Sequence, residues 1–173
     1  IVAGEREIDF IVNLEDTEEE VWFSPSKLER ILYNLLSNAF KYTQPGGYVK
    51  LSAKLIKEEK ETFVQISVKD NGRGVPKEAQ EQIFESYYQV EKRDHREGFG
   101  LGLSLTRSLI HMHKGEIRVE SEINKGSDFI VTLNVSEDAY NPDERSSENI
   151  TTEEIQKYNQ RIKETIELIP EKL

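Results

Sequence analysis

Between Ser24-Pro25 and Pro45-Gly46-Gly47, the apolar residues Leu28, Ile31, Leu32, Leu35, Leu36 and Ala39 recur every three or four positions. That spacing defines a helix with one apolar face. Pro25 suits its first position and Ser24 its N-cap. Such a helix needs a second layer to bury that face. Alternating segments supply it. Ile8, Phe10, Val12 and Leu14 alternate with mostly polar neighbours, and Val21-Trp22-Phe23 reads as a short apolar strand. Two more strands are expected near 48–57 and 62–69, joined by Glu58-Glu59-Lys60-Glu61, with Val64, Ile66 and Val68 on one face. A last pair near 116–121 and 128–135 turns at Asn124-Lys125-Gly126. Lys77 to Ser86 predicts a short helix carrying Ile83 and Phe84. Leu101 to His113 predicts another, closed by Gly115 as C-cap, and the polar stretch 88–97 reads as a loop. The expectation is a mixed sheet with helices on one face.

The 173 residues are 36% apolar, enough for one modest core and an extension. Residues 1–135 are expected to form the domain. Residues 136–173 are expected to form a polar linker and a C-terminal helix striped by Ile155, Tyr158, Ile162, Ile166 and Ile169. That tail could lead to a further domain. Ile1-Val2-Ala3 reads as the cut end of a longer protein, and no run is apolar enough to span a bilayer. With no cysteine, thiolate chemistry and disulfides are excluded. The net charge of −10 argues against nucleic acid as a main partner. An anionic ligand would have to be met by local cations and backbone N–H groups.

Three motifs carry chemistry. Asn34, Asn38, Lys41 and Tyr42 lie on or near one stripe of the first helix, read as the side opposite the leucines. Asparagine is a poor helix-interior residue. Two of them four apart suit a Mg²⁺ already bridged by phosphates, or else a solvated face. Asp70-Asn71-Gly72-Arg73-Gly74 follows a strand. Asp70 there can accept a hydrogen bond from an exocyclic amine such as that of adenine, or it can belong to an ordinary Asp-Asn-Gly turn. Gly98, Gly100 and Gly102 open a helix, where free N–H groups and the dipole favour phosphate. Their spacing is neither the dinucleotide fingerprint nor a Walker loop.

In order, these segments resemble the signature boxes of sensor histidine kinases. Asn34 to Thr43 resembles the N box, Asp70 to Gly74 the G1 box, Phe84 to Tyr88 the F box, and Gly98 to Leu103 the G2 box. Gly126-Ser127-Asp128-Phe129 looks like the family's last glycine turn and closing strand. The resemblance covers roughly residues 5–135. It implies the Bergerat fold: α+β, a two-layer α/β sandwich whose mixed sheet is mostly antiparallel. It also implies ATP and Mg²⁺ as cofactors. Asn38 would be the metal ligand with Asn34 assisting, Lys41 would reach the phosphates, and Tyr42 would flank the base or ribose. Asn38 and Lys41 would be the catalytic pair. Asp70 would read the adenine amine over a floor shaped by Gly72 and Gly74. Gly98, Gly100 and Gly102 would hinge a lid over residues 85–97, and Lys92, Arg93 or Arg96 would meet the γ-phosphate. Val75, Phe84, Leu101, Leu103 and Ser127 would complete the nucleotide site. Arg107 is a further cation facing that region, or part of a surface ion pair.

The same fold serves ATPases that place a general-base glutamate four residues before the metal-binding asparagine. Here that position is Asn34, and an amide takes no proton at neutral pH. Phosphoryl transfer is therefore favoured over hydrolysis. The acceptor histidine of such kinases is followed by a carboxylate, an arginine and a proline, a context missing here. His95 falls in the expected lid. His111 and His113 end a helix, where a protonated histidine suits the dipole, and the histidines read as structural or incidental. The resemblance thus implies a catalytic domain whose partners are a histidine-bearing dimerisation domain of the same parent kinase and a response-regulator receiver domain. Its expected place is the cytoplasmic part of a membrane-anchored sensor, without direct membrane contact. The alternatives are a pseudokinase-like docking module that only holds nucleotide, and an ATPase of this fold. Ser24 stands where many relatives carry aspartate, and Phe99 where a small residue is usual.

Overall fold

The computed structural model describes residues 7–86, 88 and 102–140, together with the backbone of Val2 and Ala3. In chain order the elements are β1 (Val2–Ala3), β2 (Ile8–Leu14), α1 (Pro25–Tyr42), β3 (Tyr48–Lys57), β4 (Thr62–Asp70), α2 (Gly102–Met112), β5 (Glu116–Glu122) and β6 (Gly126–Asn134). They build a six-stranded sheet in the order β1-β2-β3-β4-β6-β5. Only the β2–β3 pair is parallel. This parallel pairing follows from α1, which carries the chain back across the sheet between β2 and β3. The architecture is the expected α+β sandwich, mixed and mostly antiparallel.

Cross-strand register decides which residues meet the helices. One row across the sheet runs Phe10, Val49, Asp70, Ser127 and Ser121. The next runs Val12, Leu51, Val68, Phe129 and Val119. Ile31, Leu35, Leu36, Ala39 and Phe40 of α1, with Leu109 and Ile110 of α2, form one core with Phe10, Val49, Val68 and Phe129. Phe10 and Phe40 pack with ring centroids 5.5 Å apart. Both helices therefore cover one face, and the register turns the Asp70 carboxylate into it.

Three local expectations are corrected. Val21-Trp22-Phe23 forms no strand. The Trp22 N–H reaches the Val135 carbonyl at 2.9 Å, then Pro25 starts α1 before a ladder can build. Lys77 to Ser86 is not a continuous helix but two 3-10 turns, Lys77–Ala79 and Gln82–Phe84. A segment this short cannot sustain a helix alone. The Gln80 amide also ties it sideways to the carbonyls of Val75 and Ser121. Ser24 takes the N-cap position as expected, without a side-chain cap bond. At the end of α2 the left-handed residue is Lys114, φ 48°, not Gly115. Gly115 is required instead by close approach, since a Cβ there would lie 2.2 Å from the Thr132 carbonyl oxygen. Past β6, the Tyr140 hydroxyl donates to the Asn134 carbonyl and lies 3.1 Å from the His113 carbonyl oxygen. The proposed terminal helix lies outside the described residues.

Candidate functional site

Two groups of the expected site residues come together at the ends of α1's polar stripe. The first is where β4 ends. Asp70 is 4% exposed, and its Oδ1 accepts the Gly72 N–H at 2.8 Å. Burial pushes its carboxyl above the ordinary carboxylate range. Hydrogen bonds from the backbone of Gly72 and Ser127 oppose that rise, and the nearby charge of Asp128 adds to it. The turn after Asp70 lies directly on the end of α1. A Cβ on Gly72 would sit 2.2 Å from the Tyr42 carbonyl oxygen, and the Arg73 N–H bonds that same carbonyl at 3.3 Å. Gly74 has φ 71°, and a Cβ there would strike the Glu122 carbonyl oxygen at 2.1 Å. These glycines are needed for backbone contact and, at 74, for conformation.

Around this turn the side chains are held. The Val75 N–H donates to the Ser121 hydroxyl, which itself donates to the Gly126 carbonyl and lies 3.1 Å from the Ser127 hydroxyl. Lys41 lies with its Nζ 5.3 Å from the Tyr42 ring centroid, and the Arg73 guanidinium stacks at 4.2 Å over the same ring. Asn71 was not singled out from the sequence. Its Oδ1 accepts the Tyr48 N–H at 2.7 Å, which fastens the turn to β3.

The second group is where α1 meets α2. The Asn34 Nδ2 donates to the Gly102 carbonyl at 3.3 Å and to the Thr106 hydroxyl at 3.0 Å. Asn38, half-buried, lies one turn further along α1, between this contact and Tyr42. The stripe therefore flanks the leucine face rather than opposing it, about a quarter turn away at 3.6 residues per turn. It is half-buried because α2 packs along it. Asn34 to Tyr42 spans about 12 Å of helix.

The remaining expected residues divide clearly. Leu103 packs partly buried against the core. Phe84 is a core residue, edge-on to Phe129 with centroids 6.3 Å apart, and the Arg107 guanidinium lies 5.9 Å from its ring. Arg93, Gly98, Gly100 and Leu101 lie outside the described residues, as do Lys92, Arg96 and His95. His113 has the structural role expected of it, but not through the helix dipole. This ring is 3% exposed, with Nδ1 bonded to the Leu109 carbonyl at 3.0 Å, while Nε2 accepts the Ser24 N–H at 3.2 Å. Burial pushes its pKa down, and the charge of Lys27 adds to this against the Leu109 bond.

Among the described residues, no cluster of three or more His, Cys, Asp or Glu could hold a metal. What the stripe offers is two neutral amide oxygens. That donor set fits a Mg²⁺ bound mainly by phosphates and water, rather than one caged by protein.

Residues 23–137 match the family model described as histidine kinase-, DNA gyrase B-, and HSP90-like ATPase. The chain belongs to this family. Within it, the similarity runs to sensor histidine kinases, and this is a catalytic domain of that type, with the ATP-binding fold. It is 38% identical over 134 residues to the adaptive-response sensory kinase SasA of Synechococcus sp. (strain JA-2-3B'a(2-13)), covering 78% of this chain and 34% of that protein. It is 37% identical over 139 residues to the sensor histidine kinase WalK of Bacillus subtilis (strain 168), covering 79% of this chain and 22% of that protein. The chain thus spans about a third or less of the length of these curated relatives. Among solved structures, the catalytic domain of histidine kinase ThkA superposes with TM-score 0.63 at 28% identity, covering 76% of this chain and 81% of that one. Full-length ShkA in complex with AMPPNP superposes with TM-score 0.66 at 28% identity, covering 78% of this chain and 27% of that one. No helix among the described residues is long and apolar enough to cross a membrane.

Proposed function

We propose that this chain binds Mg²⁺-ATP and donates the γ-phosphoryl group to a histidine on a separate dimerisation domain. From there the phosphoryl group would pass to a response-regulator receiver domain. Residues 1–135 would be the catalytic unit and 136–173 its polar extension, in the cytoplasmic part of a membrane-anchored sensor. The observation that carries this reading is the amide stripe of α1 ending against the turn that follows the buried Asp70 carboxylate of β4. Support comes also from kinase relatives and from the AMPPNP complex of ShkA.

In this reading the Asp70 carboxylate accepts the adenine amine, and its burial makes that bond strong and selective against a carbonyl at the same place. Gly72 and Gly74 bring backbone close beneath the base, and Tyr42 flanks it. The Lys41 ammonium meets phosphate, and the first turn of α2, from Gly102, offers unsatisfied N–H groups to the same anion. Asn34 and Asn38 would hold Mg²⁺ through their amide oxygens, and the ion would neutralise charge on the phosphate oxygens. A histidine nitrogen attacks the γ-phosphorus, the bond to the β–γ bridging oxygen breaks, and ADP leaves. The chain orients these groups, and the amide of Asn34 is no base.

Asn34 separates transfer from hydrolysis. A side chain that takes no proton leaves attacking water unactivated. Phosphate release from ATP by the isolated chain tests this directly: near-background release is expected, and sustained turnover comparable to an ATPase would contradict the reading.

A further inference from the structure

A carboxamide has one end that binds a cation and one that repels it, and the two ends are nearly equal in size. If Asn34 is to serve Mg²⁺, something must decide which end faces the ligand. Thr106 does this. Its side chain is fully buried, 0% exposed, and its hydroxyl donates its one proton to the Gly102 carbonyl at 2.8 Å. Having done so, the oxygen can only accept, and it lies 3.0 Å from the Asn34 Nδ2. The Gly102 carbonyl, also an acceptor, lies 3.3 Å from that same nitrogen. Two acceptors converging on one end of the carboxamide require the NH₂ there. Oδ1 then lies beside the first residue of α2, 3.9 Å from where a Cβ on Gly102 would be. A buried threonine often satisfies its hydroxyl on the carbonyl four residues back. That habit explains the bond to Gly102 but not the alignment of Asn34 from another helix.

We propose that Thr106 is a positioning residue: it holds the Asn34 carboxamide with its oxygen free for the metal–phosphate end of the site, and so sets the affinity for Mg²⁺-nucleotide. The inference rests on the reading of Asn34 given above. It extends that reading to a residue that touches neither nucleotide nor metal.

The test compares Thr106→Val, Thr106→Ser, Asn34→Ala and the double variant Asn34→Ala/Thr106→Val in the full 173-residue chain. ATP binding is titrated calorimetrically with Mg²⁺ and with EDTA. Thr106→Val is expected to weaken Mg²⁺-ATP by about three- to tenfold, the worth of one ordinary hydrogen bond, and to leave metal-free ATP within about twofold of the parent. Thr106→Ser should restore the parental value. In the Asn34→Ala background, Thr106→Val should have no further effect. Equal weakening with and without metal would overturn the proposal, as would the same loss in the Asn34→Ala background. If Asn34→Ala weakens Mg²⁺-ATP but Thr106→Val does not, the positioning role alone fails. If Asn34→Ala changes nothing, the metal reading of Asn34 fails with it. A readout free of ligand covers the case in which Thr106→Val does not fold. In the parent chain, the Asn34 side-chain NH₂ protons should exchange with solvent more slowly than those of a solvent-exposed asparagine. A freely exchanging NH₂ would overturn the proposal.

Discussion

The Asp70 carboxylate accepts the Gly72 N–H at 2.8 Å, so a single side chain both ends β4 and shapes the turn that follows. It does this from the helix-covered face of the sheet, in the row of Phe10 and Val49. Burial there disfavours the charged form of Asp70, and carboxyls perturbed in this way cluster at functional sites.

Replacing Asp70 with asparagine should separate binding from stability. Burial raises the Asp70 pKa in the folded chain. Its contribution to stability is therefore fully present below the ordinary carboxylate value and is lost as pH rises through the raised one. Burial disfavours the charged carboxylate, whereas the amide that replaces it carries no charge. Asp70→Asn is expected to keep or raise the melting temperature at pH 7. ADP and ATP should both bind about ten- to a hundredfold more weakly, the loss of a charge-assisted bond. Calorimetry and thermal denaturation on one sample check both halves, and unchanged ADP affinity would remove the adenine assignment.

Asn38→Ala should act through the metal. Loss of an amide oxygen donor is expected to weaken Mg²⁺-ATP by about tenfold while metal-free ATP binds as before. The comparison is a pair of titrations with and without EDTA. Equal weakening in both would mean that Asn38 contacts the nucleotide itself.

His113 predicts a pH dependence of folding. Its pKa is lowered in the folded chain, so the unfolded chain takes up the proton first as pH falls below the ordinary histidine value of 6.5. The stability it contributes is present above that value and is lost as pH falls towards the lowered one. Protonation would also set Nε2 against the Ser24 N–H at the start of α1. Urea denaturation at pH 7.5 and 5.5 should show lower stability at the acid end, and His113→Gln should shrink the difference. An undiminished difference in that variant would assign the effect to other groups.

Gly72→Ala should damage the fold and the site together. The added methyl would lie 2.2 Å from the Tyr42 carbonyl oxygen, a backbone atom at the end of α1 that cannot swing aside. A loss of about 1–3 kcal/mol in unfolding free energy is expected, with weaker binding of every adenine nucleotide. A variant of parental stability would show that the turn and α1 can part without strain.

The elements with a sustained period were legible in the sequence. α1 and the strands β2, β3, β4 and β6 carry alternations or helical spacings that tertiary packing had no reason to override. What escaped was decided across space. Ile83 and Phe84 suggested a helix, but Gln80 binds Val75 and Ser121 and breaks the segment into turns. Val21-Trp22-Phe23 has strand residues and one backbone bond to Val135, but α1 begins at Pro25 before a ladder can build. Gly115 was read as a conformational glycine, yet it is a packing one beneath Thr132. At the site, residue types and spacing pointed to Asn34, Asn38 and Asp70. Thr106 and Asn71 gave no local signal, because each acts on a partner far away in the chain.

The proposed function makes this chain a phosphoryl donor to an acceptor carried on another domain. Incubation with γ-³²P-labelled ATP and Mg²⁺, alone and with the histidine-bearing dimerisation domain added, tests it most directly. The account predicts no stable acid-labile label on this chain in either mixture, and label on the added domain that disappears in Asn38→Ala. Acid-labile label on this chain alone, or none on the added domain while ATP is bound, would contradict it.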